Sequence, residues 1–138
     1  DEAGAVVIRW NEIDWDDPLA TAAPGTAPPK EMVHEAQRLG ARRKKLARGE
    51  GGFFMNRSQL PPGYRIAPHS HDHSEMLVVL AGGCTVEGGD LEGLALGTDD
   101  AIVIRANERY GFQCGDEGME FLTIRTGEAT VDPAASGS

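Results

Sequence analysis

The chain has 138 residues, a length that suits one domain with a hydrophobic core of its own. Hydrophobic residues make up 40% and charged residues 25%, which excludes a largely disordered chain and leaves disorder to the ends. Lys and Arg number 13 against 22 Asp and Glu, a net charge of −9 that argues against a nucleic-acid or anionic-membrane surface.

Along the chain, 18 glycines and 8 prolines cut the sequence into short segments, the texture of an all-β domain rich in turns. Ala5 to Trp10 reads as a first strand, and Asp16 to Pro29 as a loop. Lys30 to Leu39 reads as a short helix, with Met32, Val33, Ala36 and Leu39 on one face, Pro29 before it and Gly40 as a stop. Ala41 to Arg48 carries five Lys and Arg residues and reads as a solvated edge strand whose cations block edge pairing. The competing reading is an anion-binding patch.

Further strands are expected at Phe53 to Leu60, from Tyr64 into a histidine cluster, at Met76 to Leu80 and at Cys84 to Glu87. A hairpin-type turn is expected at Gly88-Gly89-Asp90, and four more strands near Leu94–Ala95, Ala101–Ile104, Tyr110–Cys114 and Met119–Arg125. Roughly nine or ten short strands imply a sandwich or closed barrel. The organisation expected is an arm over residues 1–40, a barrel over 41–128 and a flexible tail over 129–138. Cys84 and Cys114 are expected as reduced, buried thiols. The longest apolar run, Met76 to Ala81, is far too short for a membrane span, and no basic-then-apolar signal opens the chain, so a cytoplasmic enzyme or binding protein is the expectation.

Three of the four histidines fall in the segment Pro68-His69-Ser70-His71-Asp72-His73-Ser74-Glu75. In a strand, His69 and His71 present two imidazoles to one face. Asp72 and Ser74 mark a turn at His73, after which the Glu75 carboxylate returns toward the same point. Two His and one carboxylate on one side of an ion form the facial arrangement that leaves positions open for substrate, water or dioxygen. By strand parity Arg65 shares the face of His69 and His71, which leaves two readings open: a cation inside the barrel for an anionic ligand, or a surface residue paired with an acid. Leu77 and Val79 form an apolar wall, and Phe112 goes with Tyr110. Arg57 reads as a surface residue paired with an acid, and the fourth histidine, His34, as a surface residue of the helix.

The run Gly63, five residues, His69-x-His71, three residues, Glu75, six residues, Gly82 resembles the first cupin motif at every fixed position. The segment Gly97 to Phe112 resembles a degenerate second motif, with Arg105 where proline is usual and Tyr110 where the metal-binding histidine is usual. The resemblance implies a jelly-roll-like β-barrel holding iron, manganese, nickel or zinc on His69, His71 and Glu75. Tyr110 is left with three roles: ligand, hydrogen-bond donor or acid/base, or a mark of lost metal binding. The resemblance further implies a metal-dependent enzyme acting on an oxygen-rich, anionic small molecule by oxygenase, isomerase, lyase or cyclase chemistry, with Glu75 and Tyr110 as catalytic groups and Arg65, Leu77 and Phe112 around the substrate. The other reading is a ligand-binding or sensory cupin without turnover. A homodimer is expected, with Val6, Ile8, Trp10, Ile13 and Trp15 packed across a two-fold axis.

Overall fold

A computed structural model of the chain describes residues 4–16, 40–127 and 131–132. Eight strands occur among them: β1 (Arg42–Arg48), β2 (Phe54–Leu60), β3 (Arg65–His71), β4 (Glu75–Glu87), β5 (Ala95–Gly97), β6 (Ala101–Ile104), β7 (Tyr110–Arg125) and β8 (Val131–Asp132). Every pairing is antiparallel. Strand β7 organises the rest. One edge of it pairs with β2 through Met119–Arg125 and with β3 through Tyr110–Gln113, while its other edge runs along β4. β1 extends the sheet beyond β2, β8 adds to β3 at Ser70 and His71, and β5 and β6 pair with β4. The result is an all-β, jelly-roll-like barrel.

Alternation along these strands decides what the barrel encloses. Arg43 lies opposite Ser58, Ser58 opposite Phe121, and Phe121 opposite Val79. In the next inward row Asn56 faces Thr123 and Thr123 faces Leu77; in the row after that, Arg125 faces Glu75. Polar side chains from β1 and β2 thus meet apolar ones from β4 across β7. The core proper combines Leu77, Val79, Val86, Ile104, Phe112 and Phe121 with Tyr64 and Met119. Phe112 and Phe121 meet edge to face at 5.8 Å, and each buried aromatic or branched side chain contributes about 1.5–3 kcal/mol.

Three expectations from sequence are revised. Ala5 to Trp10 forms no strand: residues 5–9 lack regular structure and Trp10–Glu12 is a single 3₁₀ turn. Val6 and Val7 are exposed, and the apolar pattern there finds no partner strand among the described residues. The two strands expected between Met76 and Glu87 are one strand of 13 residues, and Tyr110–Cys114 and Met119–Arg125 belong to one strand of 16. Glycines inside them mark bends rather than ends. Gly82 and Gly118 both have positive φ, and a Cβ on Gly82 would lie 2.1 Å from the Gly118 carbonyl oxygen, so the two strands cross there at a distance only glycine permits. Finally, the hairpin-type turn expected at Gly88-Gly89-Asp90 is a 3₁₀ turn at Gly89–Leu91 within a longer loop, which joins β4 to its antiparallel partner β5.

The helix expected at Lys30–Leu39, with His34, lies outside the described residues, as does most of the expected tail. β1 lies at the sheet edge as expected, but it is not the solvated strand its cations implied: Lys44 is buried and Asp16 bridges to Arg43. Trp15 covers its outer side, 4.1 Å from the Arg42 guanidinium, and Lys44 Nζ donates to the Trp10 carbonyl at 3.0 Å. Trp10 and Trp15 are therefore engaged within the chain. Cys84 and Cys114 face one another on β4 and β7 as buried free thiols. No helix among the described residues is long and apolar enough to cross a membrane.

Candidate active site

Strand β3 ends on the two histidines, and the turn at Asp72–Ser74 returns the chain to Glu75 at the start of β4. His69, His71 and Glu75 are all buried. His69 Nδ1 lies 2.9 Å from the Ala67 carbonyl oxygen. A carbonyl only accepts, so Nδ1 carries the proton and His69 Nε2 presents a lone pair. That lone pair faces His71 Nε2 at 3.1 Å, with the rings edge to face. Burial holds the His69 imidazole below its ordinary value, against the opposing pull of the Ala67 carbonyl and Glu75. Burial thus favours the neutral form of His69, the form that metal ligation requires.

Glu75 is held from two sides. Tyr110 donates its hydroxyl to Oε1, and Arg125 Nε donates to Oε2 at 2.7 Å. Tyr110 is opposite His69 in the β3–β7 ladder, its ring 5.0 Å from the His69 ring. Burial, then the Glu75 charge and hydrogen bond, push its hydroxyl well above the ordinary tyrosine value. Both effects favour the protonated hydroxyl, which donates its hydrogen bond to Glu75.

The imidazole pair suits a borderline transition ion, which would take the place of the proton shared between the two Nε2 atoms. Glu75 Oε1 is 3.9 Å from His71 Nε2 and is committed to Tyr110. Accordingly, among the described residues no group of three His, Cys, Asp or Glu side chains is arranged to hold an ion. The two histidines fit; the carboxylate fits only after changing partners.

A cavity of about 180 Å³ opens beside these groups. Its apolar wall is Ile66, Leu77, Phe112 and Phe121, and its polar wall is Arg43, Asn56, Ser58, Thr123 and Arg125 around His69, His71 and Tyr110. Leu77 and Phe112 are where parity placed them. Arg65 is not. Its side chain is 52% exposed and pairs with Glu87 at 2.7 Å on the outside. The ladder shifts register between Ile66 and His69, where a Cβ on Gly111 would lie 2.3 Å from the Ile66 carbonyl oxygen. That bulge reverses alternation, so Ile66 rather than Arg65 shares the histidines' side. His73 stays at the surface beside Asp72, and Arg57 pairs with Glu120 outside the barrel.

The cations inside are Arg43 and Arg125, which the sequence reading missed. The signal that finds them is register: Arg125 faces Glu75 and Arg43 faces Ser58 only once β1, β2, β4 and β7 are aligned. Arg43 Nε is buried, 3.8 Å from Asp16 Oδ2, and makes no hydrogen bond among the described residues. Asn56 Oδ1 is likewise buried without a partner among them.

Solved structures share this architecture at low identity. The polyketide cyclase RemF from Streptomyces resistomycificus matches with a TM-score of 0.66 and 20% identity over 94% of this chain and 85% of its own. KdgF from Halomonas sp. matches at 0.64 and 20%, over 88% and 92%. A sugar phosphate isomerase of the cupin superfamily from Silicibacter pomeroyi matches at 0.64 and 18%, over 87% and 74%. No curated protein matches the chain. The family model for the cupin domain matches residues 56–131, which takes in every group that surrounds the histidine pair except Arg43. With the motif, the barrel and the family match in agreement, the chain belongs to the cupin domain family.

Proposed function

We propose that this cupin is a metal-dependent enzyme acting on a small, oxygen-rich anion inside its barrel. The observation that carries the reading is the buried imidazole pair, Nε2 to Nε2 at 3.1 Å, at the wall of a cavity lined by two arginines. His69 and His71 would hold iron, manganese, nickel or zinc with Glu75 as third ligand, and the ion would supply Lewis acidity or dioxygen activation. The chain's own residues do the rest. Arg43 and Arg125 attract the anion into a site on a chain of net charge −9. Tyr110 holds a proton at its hydroxyl beside Glu75, positioned for donation to the bound molecule. Leu77, Phe112 and Phe121 exclude water from the opposite side. The fold neighbours named a cyclase and an isomerase are consistent with enzyme chemistry on this barrel.

One observation favours a second reading, a ligand-binding cupin without turnover: Arg125 already neutralises Glu75. Elemental analysis of protein purified without added metal, beside His69→Ala, separates the two. Stoichiometric metal lost in the variant supports the enzyme. Metal absent even after reconstitution removes it. A homodimer belongs to the same reading, resting on exposed Val6, Val7 and Phe53, and sedimentation of a stable monomer at micromolar concentration would exclude it.

A further inference from the structure

The polar wall of the cavity carries two unmet demands of opposite kind. Arg43 Nε is a buried donor without an acceptor, and Asn56 Oδ1 a buried acceptor without a donor, among the described residues. Both line the same cavity. They sit on adjacent strands: Arg43 is opposite Ser58, two residues along β2 from Asn56, so the two side chains are diagonal neighbours on the inward face. Buried polar groups without partners are rare and costly, and a pair on the polar wall of one cavity indicates what is meant to fill it.

We infer that the cavity selects a small hydroxycarboxylate, with Arg43 binding the carboxylate and Asn56 Oδ1 accepting a hydrogen bond from the hydroxyl. This rests on the small-anion reading above and names its substrate class. Among the described residues Arg43 Nε has no hydrogen-bond acceptor, and Asp16 Oδ2 beside it is likewise without a donor. Asp16 is 3.8 Å from Nε, close enough to offset charge but too far for a hydrogen bond. Burial, and after it the Arg48 and Arg125 charges, lower the guanidinium's affinity for its own proton against the opposing pull of Asp16, and an incoming carboxylate would act in the same sense as Asp16. Arg125 is less free, since Glu75 holds it at 2.7 Å. Size narrows the class further. Cavities of about 150 Å³ accept benzene, so 180 Å³ suits a molecule of comparable size. The acceptor on Asn56 then separates a hydroxy acid from its deoxy analogue. A ligand that displaces solvent without supplying a donor leaves Oδ1 unpaired, and sites built this way discriminate strongly.

The test is titration calorimetry with two matched pairs, lactate against propionate and 3-hydroxybutyrate against butyrate, on EDTA-treated and metal-restored protein. At least one hydroxy acid is expected to bind about 10–100-fold more tightly than its deoxy partner. Asn56→Leu should abolish that preference while leaving the deoxy acid's affinity within about threefold. Arg43→Gln should weaken both acids of the preferred pair by about 10–100-fold, with Arg43→Lys between. Melting curves check that each variant is folded, and the analogue comparison on the unsubstituted chain decides the matter if a variant is not. Equal affinity within both pairs, no binding of any acid, or affinities indifferent to Arg43 and Asn56 would overturn the inference. The two readings fail separately. An Asn56-dependent preference in metal-free protein upholds this inference even if no metal is ever found. A preference seen only with metal and unchanged in Asn56→Leu overturns it and leaves the metalloenzyme standing.

Discussion

Replacing Arg125 with methionine probes the one contact that decides between a metal site and a closed ion pair. The Glu75 side chain is 1% exposed and that of Arg125 20%, with Nε and Oε2 at 2.7 Å. Removing one partner of a buried pair costs about 3–5 kcal/mol, chiefly because the other charge stays buried and uncompensated. Tyr110 still donates to Oε1 in the variant, and Arg125 reaches solvent, so the lower end applies, about 3 kcal/mol. For a domain of this size each kcal/mol moves the melting point by roughly 4 °C, which gives a fall of about 12 °C. Differential scanning calorimetry with EDTA at pH 7 measures it. Two companions sharpen the result. Arg125→Met combined with Glu75→Gln removes the orphaned charge and should recover most of the loss. Added Zn²⁺ should also restore the single variant, because the freed carboxylate can then join the imidazoles. A melting point within 2 °C or so of the parent would refute the view that this pair holds Glu75, since it lies well inside the expected shift.

Tyr110→Phe removes a buried donor to Glu75 and should cost about 1–3 kcal/mol by chemical denaturation; iron(III)-loaded parent should show no phenolate charge-transfer band, and a band abolished in the variant would make Tyr110 a ligand. If the chain turns over, the same variant should keep its metal and lose about 10²–10⁴ in rate. Gly111→Ala places a methyl against the backbone of residues 66–68 and should destabilise by about 1–3 kcal/mol, with altered amide shifts at His69 by NMR; an unperturbed spectrum would remove the bulge argument. Burial pushes the Cys84 and Cys114 thiols up to about 11 and about 12. The folded state therefore keeps protons that the unfolded chain loses above about pH 9. Stability from this source is present below that pH and declines as pH rises through 9 toward 12. Thiol labelling of the native protein at pH 8 should be slow and should become complete on unfolding, and rapid native labelling would contradict the burial.

The histidine–glutamate cluster was legible because its spacing is local: a strand, a three-residue turn and the next strand determine it without reference to distant residues. Ala101–Ile104 coincides with β6 for the same reason, a short apolar run between turns. What spacing could not reveal was the long-range part. Parity carried Arg65 inward, but the bulge beside Gly111 turned it out, and only the register of β3 on β7 contains that information. Arg43 looked like one more edge-strand cation, and Arg125 like the end of a strand. Each becomes a cavity residue through its cross-strand neighbour. The strands on either side of Gly82-Gly83, and those on either side of residues 115–118, were expected as separate because glycine serves turns and bulges alike.

Because β2, β3 and β4 all find their partner in β7, synthesis from the N-terminus leaves the nascent chain waiting. Until Tyr110–Arg125 emerges, only β1–β2 and the β4 pairings with β5 and β6 can form, and the inner edges of β2 and β3 stay open. Closure then joins Phe54 to Arg125 and His69 to Tyr110 in one late event of high contact order. The period before it is when aggregation threatens most. A chain stopped before Gly111 would lack the seam rather than a part of it, so premature termination anywhere upstream should yield no partial barrel at all.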